Sequence, residues 1–198
     1  MIARRLPLLL LLCLTQPLVA GELDLQAPDD IAKLLAPYLP EEAGSPRKLQ
    51  GLLSEILATE GYFSPAFEFA EQDDGLKLTL DAGRRTTINS LELLIDGPVE
   101  ADTRKALIDS WSLPVGQPFR QEDWNTAKQQ ILSRLLAVEY ADAKLLDSTA
   151  SIDTETHRAD LSVHYEAGPR YRFGPLRIEG LQNYSPELIA RYNRAVQP

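Results

Sequence analysis

Sulfur and histidine are nearly missing from this 198-residue chain, which has one cysteine, one methionine and two histidines. His157 and His164 have no His-x-x-x-His spacing and no cysteine partner, so no zinc-type ligand set is legible. His164 alternates with the apolar residues of its segment and is expected on a solvent face. No Gly-x-Ser-x-Gly elbow, phosphate loop or EF-hand loop is present. The paired carboxylates Glu41-Glu42 and Asp73-Asp74 fall in expected turns, where solvation accounts for them. The reading is of a chain without catalytic, metal or cofactor-binding residues. Positive charge is also scarce, with 20 Lys and Arg against 29 Asp and Glu and a formal charge of −9. Without a basic cluster, a chain this acidic is a poor binder of phosphate backbones or anionic lipid. At 44% hydrophobic and 25% charged residues it is nonetheless composed like a folded globular protein.

The one continuous apolar stretch lies near the start. Arg4 and Arg5 precede Leu6–Leu14, and small residues follow at Ala20 and Gly21. That layout is a secretory signal peptide, cleaved after Ala20 or Gly21, and it is too short for a membrane-spanning helix. An uncleaved anchor is the alternative. Leu12 before Cys13 is not the small residue that a lipoprotein site wants. Loss of the leader removes the only cysteine, so a mature exported chain would be held by apolar cores without disulfides.

After residue 21 the periodicities alternate in a set order. Leu23 and Leu25 suggest a short strand. Asp29 or Asp30 would cap a helix carrying Ile31, Leu34, Leu35, Tyr38 and Leu39, ended by Pro40. Ser45-Pro46 opens a second helix with Leu49, Leu52, Leu53, Ile56 and Leu57, stopped at Gly61. Strands follow at Ala66–Phe69 and Leu76–Leu80, around a turn at Gln72–Gly75. The order β-α-α-β-β then recurs. Ile88–Ile95 is a strand, and Ala101–Trp111 is a helix with Leu107, Ile108 and Trp111 inward. Gln121–Val138 is a second helix with Trp124, Ala127, Ile131, Leu135 and Val138 inward. Lys144–Asp153 and Leu161–Tyr165 close the unit as strands around a turn at Thr154–Arg158.

A repeat ties the two halves together. LKLTLDAGRRTTINSLEL (76–93) lies over LSVHYEAGPRYRFGPLRI (161–178) without a gap, and Gly83 falls on Gly168. The expected fold is α+β: tandem units at 22–83 and 84–169, each with two helices on one face of a three-stranded mixed sheet. A third unit would begin near residue 170, with a strand at Tyr171–Glu179 and a helix through Leu188, Ile189, Tyr192 and Val196. A lone strand and helix cannot bury both apolar faces, so a third unit ending at residue 198 is expected to be incomplete.

With no chemistry to place, recognition by surface is the expected activity. A small sheet leaves edge strands whose unpaired N–H and C=O groups can accept an extended peptide. The second strand of each unit is the expected edge. That assigns partner binding to Ala66, Phe67, Glu68 and Phe69, and to Lys144, Leu145, Leu146, Asp147 and Ser148. Lys144 is the kind of residue that also blunts an edge. The linkers hold Gly83, Arg84 and Arg85, and Gly168, Arg170, Tyr171, Arg172, Phe173 and Gly174. Those arginines either fix the angle between adjacent units or hold a partner's carboxylates.

EGYFSPAFEF (60–69), DAGRRTTINSLELLIDGP (81–98) and especially YEAGPRYRFGPLRIEG (165–180) resemble the periplasmic arm of TamA-type translocation and assembly proteins. These belong to the BamA-like outer-membrane superfamily, built from POTRA domains of order β-α-α-β-β followed by a β-barrel. The resemblance implies a periplasmic arm that guides outer-membrane proteins, autotransporters in particular, and that docks a TamB-like inner-membrane partner. It implies outer-membrane attachment only through a C-terminal barrel, which this sequence lacks. A free-standing periplasmic chaperone using the same edges is the alternative.

Overall fold

The computed structural model describes residues 22–40, 45–72, 75–172, 174 and 179. Its chain runs β1 (Glu22–Gln26), α1 (Asp29–Leu35), α2 (Pro46–Thr59), β2 (Ala66–Gln72) and β3 (Gly75–Asp81). It continues as β4 (Thr87–Asp96), α3 (Ala101–Asp109), α4 (Gln121–Val138), β5 (Lys144–Asp153) and β6 (Arg158–Glu166). The fold is α+β with two three-stranded mixed sheets, of strand order β1-β3-β2 and β4-β6-β5. In each sheet the last strand lies in the middle, parallel to the first and antiparallel to the second. A parallel neighbour cannot be reached by a hairpin, and the two helices supply the crossover.

The chain divides into two compact units. One holds residues through Ile56 together with Pro65–Ala82, and the other holds Leu57–Ser64 and the chain from Gly83 onward. In the first unit the buried apolar residues are Ile31 and Leu35 of α1, Leu49 and Leu53 of α2, and Leu76, Leu78 and Leu80 of β3. The second unit has a continuous core in which Trp124, Ala127, Ile131 and Leu135 of α4 join Leu161, Val163 and Tyr165 of β6. Each buried leucine, isoleucine or valine among them contributes about 1.5–3 kcal/mol by leaving water. Trp111 lies past the end of α3 and packs edge-on against Trp124 with ring centroids 6.0 Å apart. Its indole N–H donates to the Leu113 carbonyl at 2.8 Å, which satisfies the one polar atom that burial would strand.

Several local expectations are corrected. Asp29 and Asp30 lie in the first turn of α1, and Pro28 holds the capping position. After Leu35 the helix tightens into a 3-10 turn, Ala36–Tyr38, with Pro37 near its start. Proline inside an α-helix removes an N–H and collides with the preceding turn, so the stripe ends early and Tyr38 is exposed. Leu52, Ile108 and Val138 are also exposed. In α2, α3 and α4 the buried seam is narrower than the apolar stripe, and these side chains fall on its margin. Two β-bulges interrupt the second sheet, between Ile88 and Ser90 and between Leu145 and Asp147. The Asp73-Asp74 and Glu41-Glu42 pairs, the signal peptide and most of the third unit lie outside the described residues.

Candidate functional site

Because β3 and β6 are central, each sheet has two outer strands, and the first strand of each unit is as much an edge as the second. Only the second strand was expected there. The sequence shows element order but not which strand takes the middle.

β2 pairs with β3 over seven successive residues, Ala66↔Asp81 through Gln72↔Gly75, with no break in register. Phe67 and Phe69 are half-buried on the helix-facing side, and their rings stack with centroids 6.5 Å apart. Ala66, Glu68 and Ala70 are exposed on the other side.

β5 is a different edge. Lys144 at its start reaches Glu166 of β6, Nζ to Oε2 2.6 Å, and that carboxylate raises the lysine's pKa. Leu145 packs on the core, whereas Leu146 sits at the bulge and is exposed. Asp147 is exposed, and Ser148 accepts a hydrogen bond from Lys128 Nζ at 3.3 Å. That lysine lies over the Trp124 ring at 4.7 Å, and burial lowers its pKa.

The linker residues form a motif that occurs twice within the second unit. Gly83 and Gly168 both adopt positive φ, +72° and +71°. Two residues after each glycine comes an arginine bound to the glutamate that directly follows a long helix. Arg85 Nε donates to the Glu60 carbonyl at 2.7 Å, with its guanidinium 3.5 Å from the Glu60 carboxylate. Arg170 Nε donates to the Glu139 carboxylate and pairs with Glu100, while Arg172 lies 4.0 Å from Glu139. The next backbone N–H closes each latch, Thr86 to the Gly61 carbonyl at 2.8 Å and Tyr171 to the Glu139 carbonyl at 2.7 Å. Tyr171 also donates its hydroxyl to Asp142 at 2.5 Å. Arg84 and Gly174 are exposed, and Phe173 is outside the described residues. Three of the linker arginines thus hold carboxylates of the chain itself.

Sequence reading missed Glu60, Glu139, Asp142 and Arg120. The last donates two hydrogen bonds to the Glu60 carboxylate, at 2.8 and 3.1 Å. The available signal was a glutamate directly after the second helix of each unit, matched to a Gly-x-Arg in the following linker. Arg120, acting through its hydrogen bonds, is the main cause of a Glu60 pKa below 4.5, with desolvation opposing. A depressed folded-state pKa adds stability that is fully present above the unfolded value and is lost as pH falls through the folded one. The melting-temperature advantage of wild type over Glu60→Gln is therefore expected near neutrality and should close as pH drops below 4.5. A gap that persists in acid would assign the effect to packing instead of charge.

Among the described residues no group of three or more His, Cys, Asp or Glu is placed to hold a metal, and no helix is long and apolar enough to cross a membrane. No protein-family model matches the chain. Among solved structures it is similar to POTRA domains 3–5 of BamA from Haemophilus influenzae. The identity is 15% over 88% of this chain and 76% of that one, with a TM-score of 0.46. It is also similar to POTRA domains 1–3 of the periplasmic domain of Omp85 from Anabaena, at 10% identity and a TM-score of 0.43, over 72% of this chain and 59% of that one. A further similarity is to CdiB from Escherichia coli, at 13% identity and a TM-score of 0.34, over 74% of this chain and 26% of that one.

Proposed function

We propose that the chain is a periplasmic, non-catalytic binding arm of POTRA-type modules, placed at 22–83 and 84–169 with a third beginning near residue 170. It is exported by its N-terminal signal peptide and serves outer-membrane protein assembly. It receives extended, unfolded polypeptide, autotransporter clients included, as an added strand at its sheet edges. In the TamA-type arrangement it also meets a TamB-like inner-membrane partner.

The observation that carries this reading is the sheet topology. β2 and β5 each pair on one side only among the described residues. Their outer main-chain groups can bond a guest strand of almost any sequence, which suits a protein that handles many clients. The two β-α-α-β-β units and the Gly-x-Arg linkers support the same reading, since they are the features that carry the family resemblance.

Amide hydrogen exchange of the chain with an unfolded outer-membrane β-barrel polypeptide tests it. Slower exchange is expected along β2 or β5. Protection confined to helices α2 and α4, or absent altogether, would rule strand addition out.

A further inference from the structure

The four outer strands are not equally open. β4 is covered at its start, where Ile88 N–H donates to the Gln117 carbonyl at 2.9 Å and Gly116 N–H to the Ile88 carbonyl at 2.8 Å. Thr87 also bridges to Pro118 there. β5 carries the bulge at Leu146 and the Lys144–Glu166 pair, both of which blunt an edge. β1 is five residues long, with Pro28 two positions beyond its end. β2 is also flanked by a proline, Pro65, but among the described residues it is free of the other devices. Its seven residues keep one register and include no proline, no lysine and no bulge.

The side chains on β2 then select the guest. Facing the helices, Phe67 and Phe69 present two stacked, half-buried rings. A neighbouring strand would complete that surface with aromatic or β-branched residues at alternate positions. On the opposite side Glu68 is exposed between Ala66 and Ala70. The two alanines leave room for a long aliphatic stem to lie beside Glu68 with its charged head at the carboxylate. Glu71 falls on the Phe67 and Phe69 side and takes no part in this pairing; β2 itself carries no base, and Lys77 of β3 lies across from Ala70, at the next pair along that face from Glu68.

We infer that β2 is the preferred docking edge and that its guest is an extended segment alternating aromatic or β-branched residues with lysine or arginine. This rests on the strand-addition reading above and specifies the partner's chemistry. An opposite-charge pair directly across two strands is worth up to about a five-fold change in affinity.

The test titrates the full chain with three fluorescent peptides. One alternates valine and phenylalanine with lysine, one carries glutamate in place of lysine, and one is the lysine peptide N-methylated at alternate amides. The lysine peptide is expected to bind roughly five-fold more tightly than the glutamate peptide, and methylation should abolish its binding. Glu68→Lys should remove or invert the preference, while the same charge change at Glu155, on the exposed turn after β5, should leave it intact. If lysine and glutamate peptides bind alike, or if Glu155→Lys acts as strongly as Glu68→Lys, the assigned chemistry is wrong while strand addition stands. If the methylated peptide binds as well as its parent, or if none binds, strand addition fails and the inference falls with it.

Discussion

Replacing Gly61 with alanine is expected to destabilise the chain by about 3 kcal/mol, among the larger effects a single methyl group can have. Gly61 follows the last turn of α2 with φ +92°, a conformation that L side chains rarely adopt. A Cβ there would lie 2.3 Å from the carbonyl oxygen of Phe119, which is backbone and has no rotamer to change. That stretch is also held from both sides. Thr86 N–H donates to the Gly61 carbonyl at 2.8 Å, and Phe119 N–H donates to the Thr86 carbonyl at 2.9 Å. Relief of the clash must therefore break a short ladder or displace the Glu60 ion pairs beside it. Gly51 is the internal control. It lies within α2 with nothing inside 4 Å of an added Cβ, so Gly51→Ala should stabilise by about 0.5–1 kcal/mol. Urea unfolding of the two variants checks both signs. A Gly61→Ala variant within 1 kcal/mol of wild type would show that this contact yields without cost.

Much of the architecture was readable because it is periodic. Alternate leucines at 76, 78 and 80 became the central strand β3, and Leu161, Val163 and Tyr165 became β6. The repeat places Gly83 over Gly168, and the two glycines adopt nearly the same positive φ. Even one bulge left a trace. Ile88 and Leu91 are three residues apart, a spacing that a regular strand cannot put on one face, and Asn89 is the extra residue that reconciles them. What stayed hidden is non-local. Glu60 and Arg120 are far apart in the chain, and nothing in either segment announces the partner. The helix stripes showed which side faces inward but not how wide the contact is, so Leu52 and Val138 were placed inside and are outside. Strand order is hidden for the same reason, since pairing is decided by crossovers and not by the strands' own residues.

The candidate edges followed the same division. Ala66–Phe69 and Lys144–Ser148 were recognisable as strands, and Lys144 as an edge-type residue. The difference between them, an unbroken ladder in β2 against a bulge at Leu146 in β5, is set by pairing across the sheet and is not written in either strand's residues. The linker arginines were visible as a repeated pattern. Their partners were not, because Glu60 and Glu139 read as ordinary polar residues at helix ends.

If each unit closes its own apolar interior, strand-by-strand amide exchange in two cavity variants shows it most directly. Leu78, fully buried in β3, lies between Leu25 of β1 and Phe69 of β2. Leu161, nearly as buried in β6, lies between Leu91 and Ala150. Truncation of either to alanine is expected to cost about 2–5 kcal/mol. Leu78→Ala should speed exchange in β1, β2 and β3 while β4, β5 and β6 keep wild-type protection, and Leu161→Ala should do the reverse. If either variant loosens all six strands together, the two sheets share one cooperative core and the tandem reading is wrong.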